Sequence, residues 1–276
     1  MIDSRKIKDK LFTGLSFIAF IIAIIPLAHI IITVIMNGIA SVSLEFFVAL
    51  PEPPGVSGGG IANAIEGSVI LVALTLFISF PVGFFSGLYL SEYASRETAE
   101  ILRGITNVLS GVPSIVIGVF VYAVIVIYYG FSAIAGAVAL SIIAIPYITR
   151  TTEEALKAIP KHIKEAGLAL GLPEWKVNLY LVAGAAKPRI LTGVLLALAR
   201  VIGEAAPLLF TAFGNPFFAR SILEPTDALP LLIFNYALSP YPDWHAKAWG
   251  AALILIVVVL SINLIVRYHF KKKIKF

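Results

Sequence analysis

The sequence predicts an all-α, polytopic membrane protein with six transmembrane helices. Of its 276 residues, 59% are hydrophobic and only 13% are charged, where a soluble domain carries about a quarter charged residues. Its mean hydropathy is +0.95. The apolar residues gather into six runs, 11–36, 67–89, 105–129, 131–148, 190–213 and 248–267, each near the ~20 residues needed to cross a hydrocarbon core. No linker or internal repeat divides the chain, so residues 1–276 read as one transmembrane domain.

The first run follows Arg5, Lys6, Lys8 and Lys10. It is too long for a signal-peptide core and has no small-residue cleavage pattern, so a spanning helix is expected. Segment 37–66 contains Pro51, Pro53, Pro54 and Gly58–Gly60 and reads as an irregular outer loop. No strand–turn–helix pattern follows those glycines, which rules out a dinucleotide-binding loop. Pro81, Pro113 and Pro146 fall in or near spans two to four, with Ser79, Ser110 and Ser141 close by. Neighbouring groups in membrane helices satisfy the backbone that proline frees, which favours a kink or packing role over substrate contact. Glu66 and Glu92 lie near span ends, where a carboxylate reaches water.

Segment 150–189 is a polar hairpin holding seven of the 21 Lys and Arg residues. Thr151 with Glu154 forms a capping-box pattern, so a short helix is expected to start there and to stop at Pro160. A second helix is expected over 161–170, with Ile159, Ile163, Ala166 and Leu170 along one stripe. Gly171 would end it, and Pro173 prevents its continuation. Small residues Ala166, Gly167 and Ala169 would let another surface approach closely. That surface could be lipid headgroups or a protein partner. The short stripe and mixed charges favour the partner.

The fifth run, 190–213, contains Arg200 and Glu204. Counted from Ile190 at ~1.5 Å per residue, they lie about 15 Å and 21 Å along a helix. A lone charge at that depth costs about 2.5–3.5 kcal/mol and so faces a partner or a wet cavity. Their i, i+4 spacing allows an ion pair that merely offsets this cost. The competing reading is a substrate pathway: Pro207 leaves the carbonyl of Gly203 without a donor, and the Arg200 fork suits an oxyanion. Segment 214–247, the second outer loop, is rich in proline and aromatics, including Phe217, Phe218, Tyr236, Tyr241 and Trp244. These suit an interfacial belt or a docking surface.

Six spans put both termini on one side. That side collects 18 Lys and Arg residues, whereas the opposite side has only Arg220 and Lys247. The bias places the termini and the hairpin in the cytoplasm. It also accounts for the pI near 9.3 without nucleic acid. Lys271–Lys273 could bind acidic lipid, although topology alone explains them. There are no cysteines, which excludes thiol chemistry and cysteine metal sites. His29, His162, His245 and His269 show no ligand spacing, so no metal site is expected. No catalytic cluster is evident, and no Lys is followed by Ser or Thr, so the end of a P-loop is absent. An ATP-driven process would need its ATP and magnesium on another subunit.

Glu165-Ala166-Gly167 followed by Gly171 resembles the EAA loop of ABC-transporter permeases. Gly167 stands for the family's second Ala, and Ala183-Gly184 stands where Leu-Pro is common. SLEFFVALPEPPGVSGGGIANAIEGS (43–68), SGVPSIVIGVFVY (110–122), RTTEEALKAIP (150–160) and LTGVLLALARVIGEAAPLLFTAF (191–213) are similar to the phosphate-specific permeases of PstA type. The resemblance implies a type I ABC importer permease of MetI-like architecture, multi-pass in a prokaryotic cell membrane, moving inorganic phosphate. It implies Glu165, Ala166, Gly167 and Gly171 as the coupling element for a PstB-type ATPase dimer. It further implies a PstC-type second permease and an external PstS-type phosphate-binding protein. Two alternatives stay open: a permease for sulfate or molybdate, and a non-conducting scaffold or sensor subunit.

Overall fold

Glycine and alanine on two helices set the centre of the computed structural model, which describes residues 4–56 and 58–271. Helix α1 (Ser4–Ile39) leads through short α2 (Leu44–Val48) to α3 (Ala62–Glu92). Then come α4 (Arg96–Gly111) and α5 (Ser114–Val121), which runs on through a π-helical stretch, Tyr122–Val126, into α6 (Ile127–Tyr129). Helix α7 (Ala133–Lys157) precedes α8 (Lys161–Ala169). Helix α9 (Glu174–Lys176) continues through a second π-helical stretch, Val177–Val182, into α10 (Ala183–Val201). After a single 3-10 turn, Leu208–Phe210, come α11 (Leu229–Ala237) and α12 (Pro242–Lys271).

Helix α7 is the hub, packing on α3, α4, α5 and α10. Its buried alanines, among them Ala133, Ala137 and Ala144, let neighbours close in. A methyl group on Gly83 would lie 2.7 Å from Ile148 Cβ, and one on Gly87 would lie 2.6 Å from the Thr149 carbonyl oxygen. Small residues serve this purpose in membranes, where helix association depends on close packing rather than on expulsion of water. A second apolar cluster joins Phe46, Ile61, Leu232, Tyr236 and Ala251, tying α2, α3, α11 and α12 together. Helix α1 packs on α12 and is otherwise widely exposed.

Among the described residues, five helices are long and apolar enough to cross a membrane: Lys8–Ile39, Ala62–Glu92, Ala133–Lys157, Glu174–Val201 and Pro242–Tyr268. The third expected span, 105–129, is not one straight helix. Its first residues belong to α4, which meets the α5–α6 unit at 95°. Val112 is extended at the break (ψ 129°) because Pro113 disfavours the helical conformation of the residue before it. The helix expected to begin at Thr151 does not exist either. Helix α7 runs through to Lys157, and the Thr151 hydroxyl donates back to the carbonyl of Tyr147 at 2.9 Å instead of capping. The fifth span is displaced as well: it starts at Glu174 and stops at Val201 rather than near 213. Gly203 and Pro207, both poor helix residues, terminate it. The outer loops expected at 37–66 and 214–247 are shortened by α2, α11 and the extensions of α1 and α12. Lys272, Lys273 and Lys275 of the basic C-terminal cluster lie outside the described residues.

Candidate functional site

The hairpin sets α8 against the end of α3 and the start of α9, and Gly167 and Lys164 determine how it sits. Pro160 begins α8, and Gly171 at φ +77° turns the chain immediately after it, in the left-handed region that suits glycine. Gly167 is buried: a methyl there would meet Leu181 Cδ1 at 2.6 Å and Val177 Cγ2 at 3.0 Å. The close approach that small residues were expected to allow is thus made, at Gly167, by the chain's own π-helical stretch. Lys164 Nζ reaches Glu92 Oε2 at 2.9 Å and Glu174 Oε1 at 3.2 Å, joining α8 to the end of α3 and the start of α9. Burial alone would lower the Lys164 pKa, but the two carboxylates outweigh it and raise the pKa above the ordinary lysine value.

The buried face of α8 therefore runs through Ile163 and Gly167, one helical turn apart. The expected stripe is only half right. Ile159 and Ile163 pack inward, whereas Ala166 is exposed and Leu170 is 81% exposed. Glu165 is also exposed. With Leu168 and Trp175 they leave a mixed polar and apolar outer surface on the hairpin.

Arg200 lies in the last turn of α10, exposed, with its guanidinium carbon 4.5 Å from the centroid of the Tyr147 ring. A cation over an aromatic face is held by the ring quadrupole without losing its hydrogen-bonding edges. Glu204 lies beyond the helix end, and among the described residues no ion pair joins it to Arg200. The i, i+4 ion pair that the spacing allowed, one of the two readings of these residues, is not formed because the helix has stopped three residues earlier. Arg150 is one turn beyond Tyr147 on the same face of α7. It is exposed, with a guanidinium nitrogen bonded to Asn107 Oδ1. Arg200 thus presents an exposed guanidinium over the Tyr147 ring, a group suited to oxyanions.

Sequence reasoning missed several of these residues. Lys164 bonds a carboxylate 72 residues earlier, which no local pattern reports. The Arg103–Glu153–Lys157 cluster, with contacts of 2.7 and 2.6 Å to Glu153, fixes α4 against α7. In the sequence, Arg103 is only one of the 18 Lys and Arg residues assigned to the cytoplasmic side. Asn178, fully buried in the second π-helical stretch, has neither side-chain polar atom hydrogen-bonded within the chain.

Residues 79–275 match the family described as the binding-protein-dependent transport system inner membrane component. The chain is 39% identical over 271 residues to the phosphate transport system permease protein PstA of Yersinia pestis, covering 98% of this chain and 92% of that one. Among solved structures, a bacterial ABC transporter involved in import of the polysaccharide alginate aligns with a TM-score of 0.66 at 16% identity, over 97% of each chain. The MetNI methionine ABC transporter aligns with a TM-score of 0.58 at 20% identity, over 78% of this chain and 98% of that chain. The two structures share the fold, a MetI-like ABC importer permease, and the sequence match is closer still: the chain belongs to the binding-protein-dependent transport system inner membrane components, within their PstA permeases.

Proposed function

We propose that this chain is one of two membrane-spanning subunits of an ATP-driven importer of inorganic phosphate. The observation that carries this reading is the seating of α8. Its Glu165 and Ala166 are exposed, while Gly167 and Lys164 fasten it to the unit that carries Arg200 in its last turn. From Glu174 to Arg200 that unit is about 40 Å long at ~1.5 Å per residue. A push on α8 therefore reaches the Arg200 end through a connected helix rather than through a flexible loop.

The positive-inside bias orients α8 and both termini toward the cytoplasm. There a PstB-type ATPase dimer, holding ATP and magnesium, takes Glu165, Ala166, Gly167 and Gly171 as the coupling element. A PstC-type permease completes the pathway, and a PstS-type binding protein delivers phosphate at the opposite face. Closure of the ATPase dimer rocks the two permeases about the shared pathway, the rigid-body logic of alternating access. Arg200 offers its fork to the passing anion. Glu204, four residues after Arg200 and not ion-paired with it among the described residues, modulates passage. Phosphate is favoured over sulfate and molybdate by the PstA relatives' name.

The test is reconstitution with the ATPase, the second permease and the binding protein in liposomes. Phosphate should stimulate ATP hydrolysis and enter the vesicles, with sulfate and molybdate failing to replace it. Arg200→Ala should lower uptake at least about tenfold, equivalent to ~1.4 kcal/mol in the rate-limiting step, while ATPase binding persists. Normal uptake by Arg200→Ala would remove the pathway role. ATPase binding without any uptake would favour the scaffold reading.

A further inference from the structure

A cavity of about 630 Å³ opens at the end of the fold away from α8, between segment 51–53, the 213–217 turn and the start of α12. Its polar lining includes Glu52, Asn63, Asn235 and Asp227, and its aromatic wall includes Tyr236 and Trp244, whose rings stack at 4.4 Å. No Lys, Arg or His lines it. The outer segments 37–66 and 214–247 together hold six carboxylates and two basic residues. One of the two, Lys247, is buried and set against Glu52, Asp243 and Glu45 rather than facing the cavity.

Two buried groups in this wall lack partners, and their chemistry is informative. Asn63 is 2% exposed. Its Nδ2 donates to the Asn215 carbonyl at 2.6 Å and to Asp227 Oδ2 at 3.1 Å. Both amide hydrogens are therefore spent on oxygen acceptors, which fixes the amide's orientation and leaves Oδ1 as an unused acceptor. Asp227, 9% exposed, accepts from Asn63 and from the Ala228 backbone N–H at 2.9 Å, leaving lone pairs unoccupied when it is ionised. Trp244 Nε1 is a buried donor without an acceptor.

We propose that this cavity receives the ammonium or guanidinium end of a lysine or arginine carried on an extracytoplasmic protein partner. The Asp227 carboxylate, Asn63 Oδ1 and Glu52 accept from the cationic head, and the stacked Tyr236–Trp244 pair supplies the aromatic face that such heads favour. A peptide carbonyl beside that side chain accepts from Trp244 Nε1, a contact that no bare inorganic cation offers. A phosphate ion has no cation here and would meet two carboxylates, so the cavity is distinct from the transport pathway. The inference rests on the proposed orientation, which turns this end outward.

The probes are N-acetyl-lysine methylamide and N-acetyl-arginine methylamide, with N-acetyl-norleucine methylamide as the uncharged control. Saturation-transfer NMR on the full chain in nanodiscs should show both basic amides binding and the control not binding. Glu52→Gln, at the exposed rim, and Asp227→Asn should each weaken binding about tenfold, or ~1.4 kcal/mol. Thermal unfolding checks that Asp227→Asn remains folded, and Glu52→Gln keeps the test decisive if it does not. Equal binding of the norleucine amide, displacement by inorganic phosphate at constant ionic strength, no binding of any amide, or an unaltered affinity in Glu52→Gln would each overturn the proposal. Phosphate uptake is scored separately in the reconstituted transporter. Lost uptake with intact amide binding counts against the importer and leaves the cavity's chemistry standing. Absent binding with normal uptake does the reverse.

Discussion

Gly167 is where one residue decides how α8 sits. The flexible tip of Leu181 is the closest obstacle to a methyl group, and the branches of Val177 come next. Gly167→Ala should therefore be close to neutral: Leu181 gives way, and alanine's helix preference returns up to about 1 kcal/mol. Gly167→Leu cannot be absorbed this way. It should destabilise the fold by about 1–3 kcal/mol, as overpacking does, and lower phosphate-driven ATP hydrolysis. A Gly167→Leu variant with native melting and native coupling would show that α8 is not held by this contact. Asp227 carries a second prediction at this scale. Burial raises its pKa from 3.8 to about 7, outweighing the hydrogen bonds from Ala228 and Asn63. Between about pH 4 and 7 the folded state keeps a proton that the unfolded chain has lost, so stability falls as pH rises through this window and then levels off. Melting of Asp227→Asn should lack that decline. A native-minus-variant difference that stays constant across the window would show that Asp227 does not titrate there.

At the scale of elements, Lys164 joins α8 to the end of α3 and the start of α9, the tie on which the proposed lever depends. Losing Lys164 leaves Glu92, whose side chain is only 11% exposed, without its cation. Lys164→Met should therefore cost more than the ~0–1 kcal/mol of a surface pair, and it should uncouple ATP hydrolysis from uptake while ATPase binding persists. Uptake per ATP at the native ratio would argue against the lever. The helix over 161–170 and its stop at Gly171 were legible because proline, glycine and a short periodic segment are local signals. The true ends of α7 and α10 were not. The polar residues after Ile148 suggested a new helix, yet Glu153 is satisfied in place by Arg103, 50 residues away. The apolar run 190–213 suggested one helix, since hydropathy does not distinguish a helix from the buried turns around Leu208 and Thr211. The Tyr147 ring beside Arg200 was not legible either, because only the packing of α10 on α7 supplies it.

For the whole molecule, the number of crossings depends on the α4–α6 unit. Five of the described helices are long and apolar enough to cross unaided, and five crossings alone would separate the termini, against the strong clustering of basic residues on one side. A sixth crossing must come from residues 114–129, about 24 Å of helix at ~1.5 Å per residue, somewhat short of a ~30 Å hydrocarbon core. A short crossing is tolerable where the bilayer thins locally or neighbours cover the ends, and α5 packs on α7. Helix α4 would then lie along the cytoplasmic surface with Ile101, Ile105 and Val108 exposed toward the membrane. The chain has no cysteine, so single introduced cysteines report topology without background. In right-side-out vesicles, an impermeant maleimide should modify Tyr129→Cys and Arg220→Cys but not Arg96→Cys or Glu165→Cys, and inside-out vesicles should reverse the pattern. If the bent pair is instead a re-entrant loop, Tyr129→Cys will label together with Arg96→Cys. Helix α7 would then run the other way, and Glu165 would face outward, where no ATPase could reach α8. Labelling at Tyr129 therefore decides the route of the chain and the coupling role of α8 in one measurement.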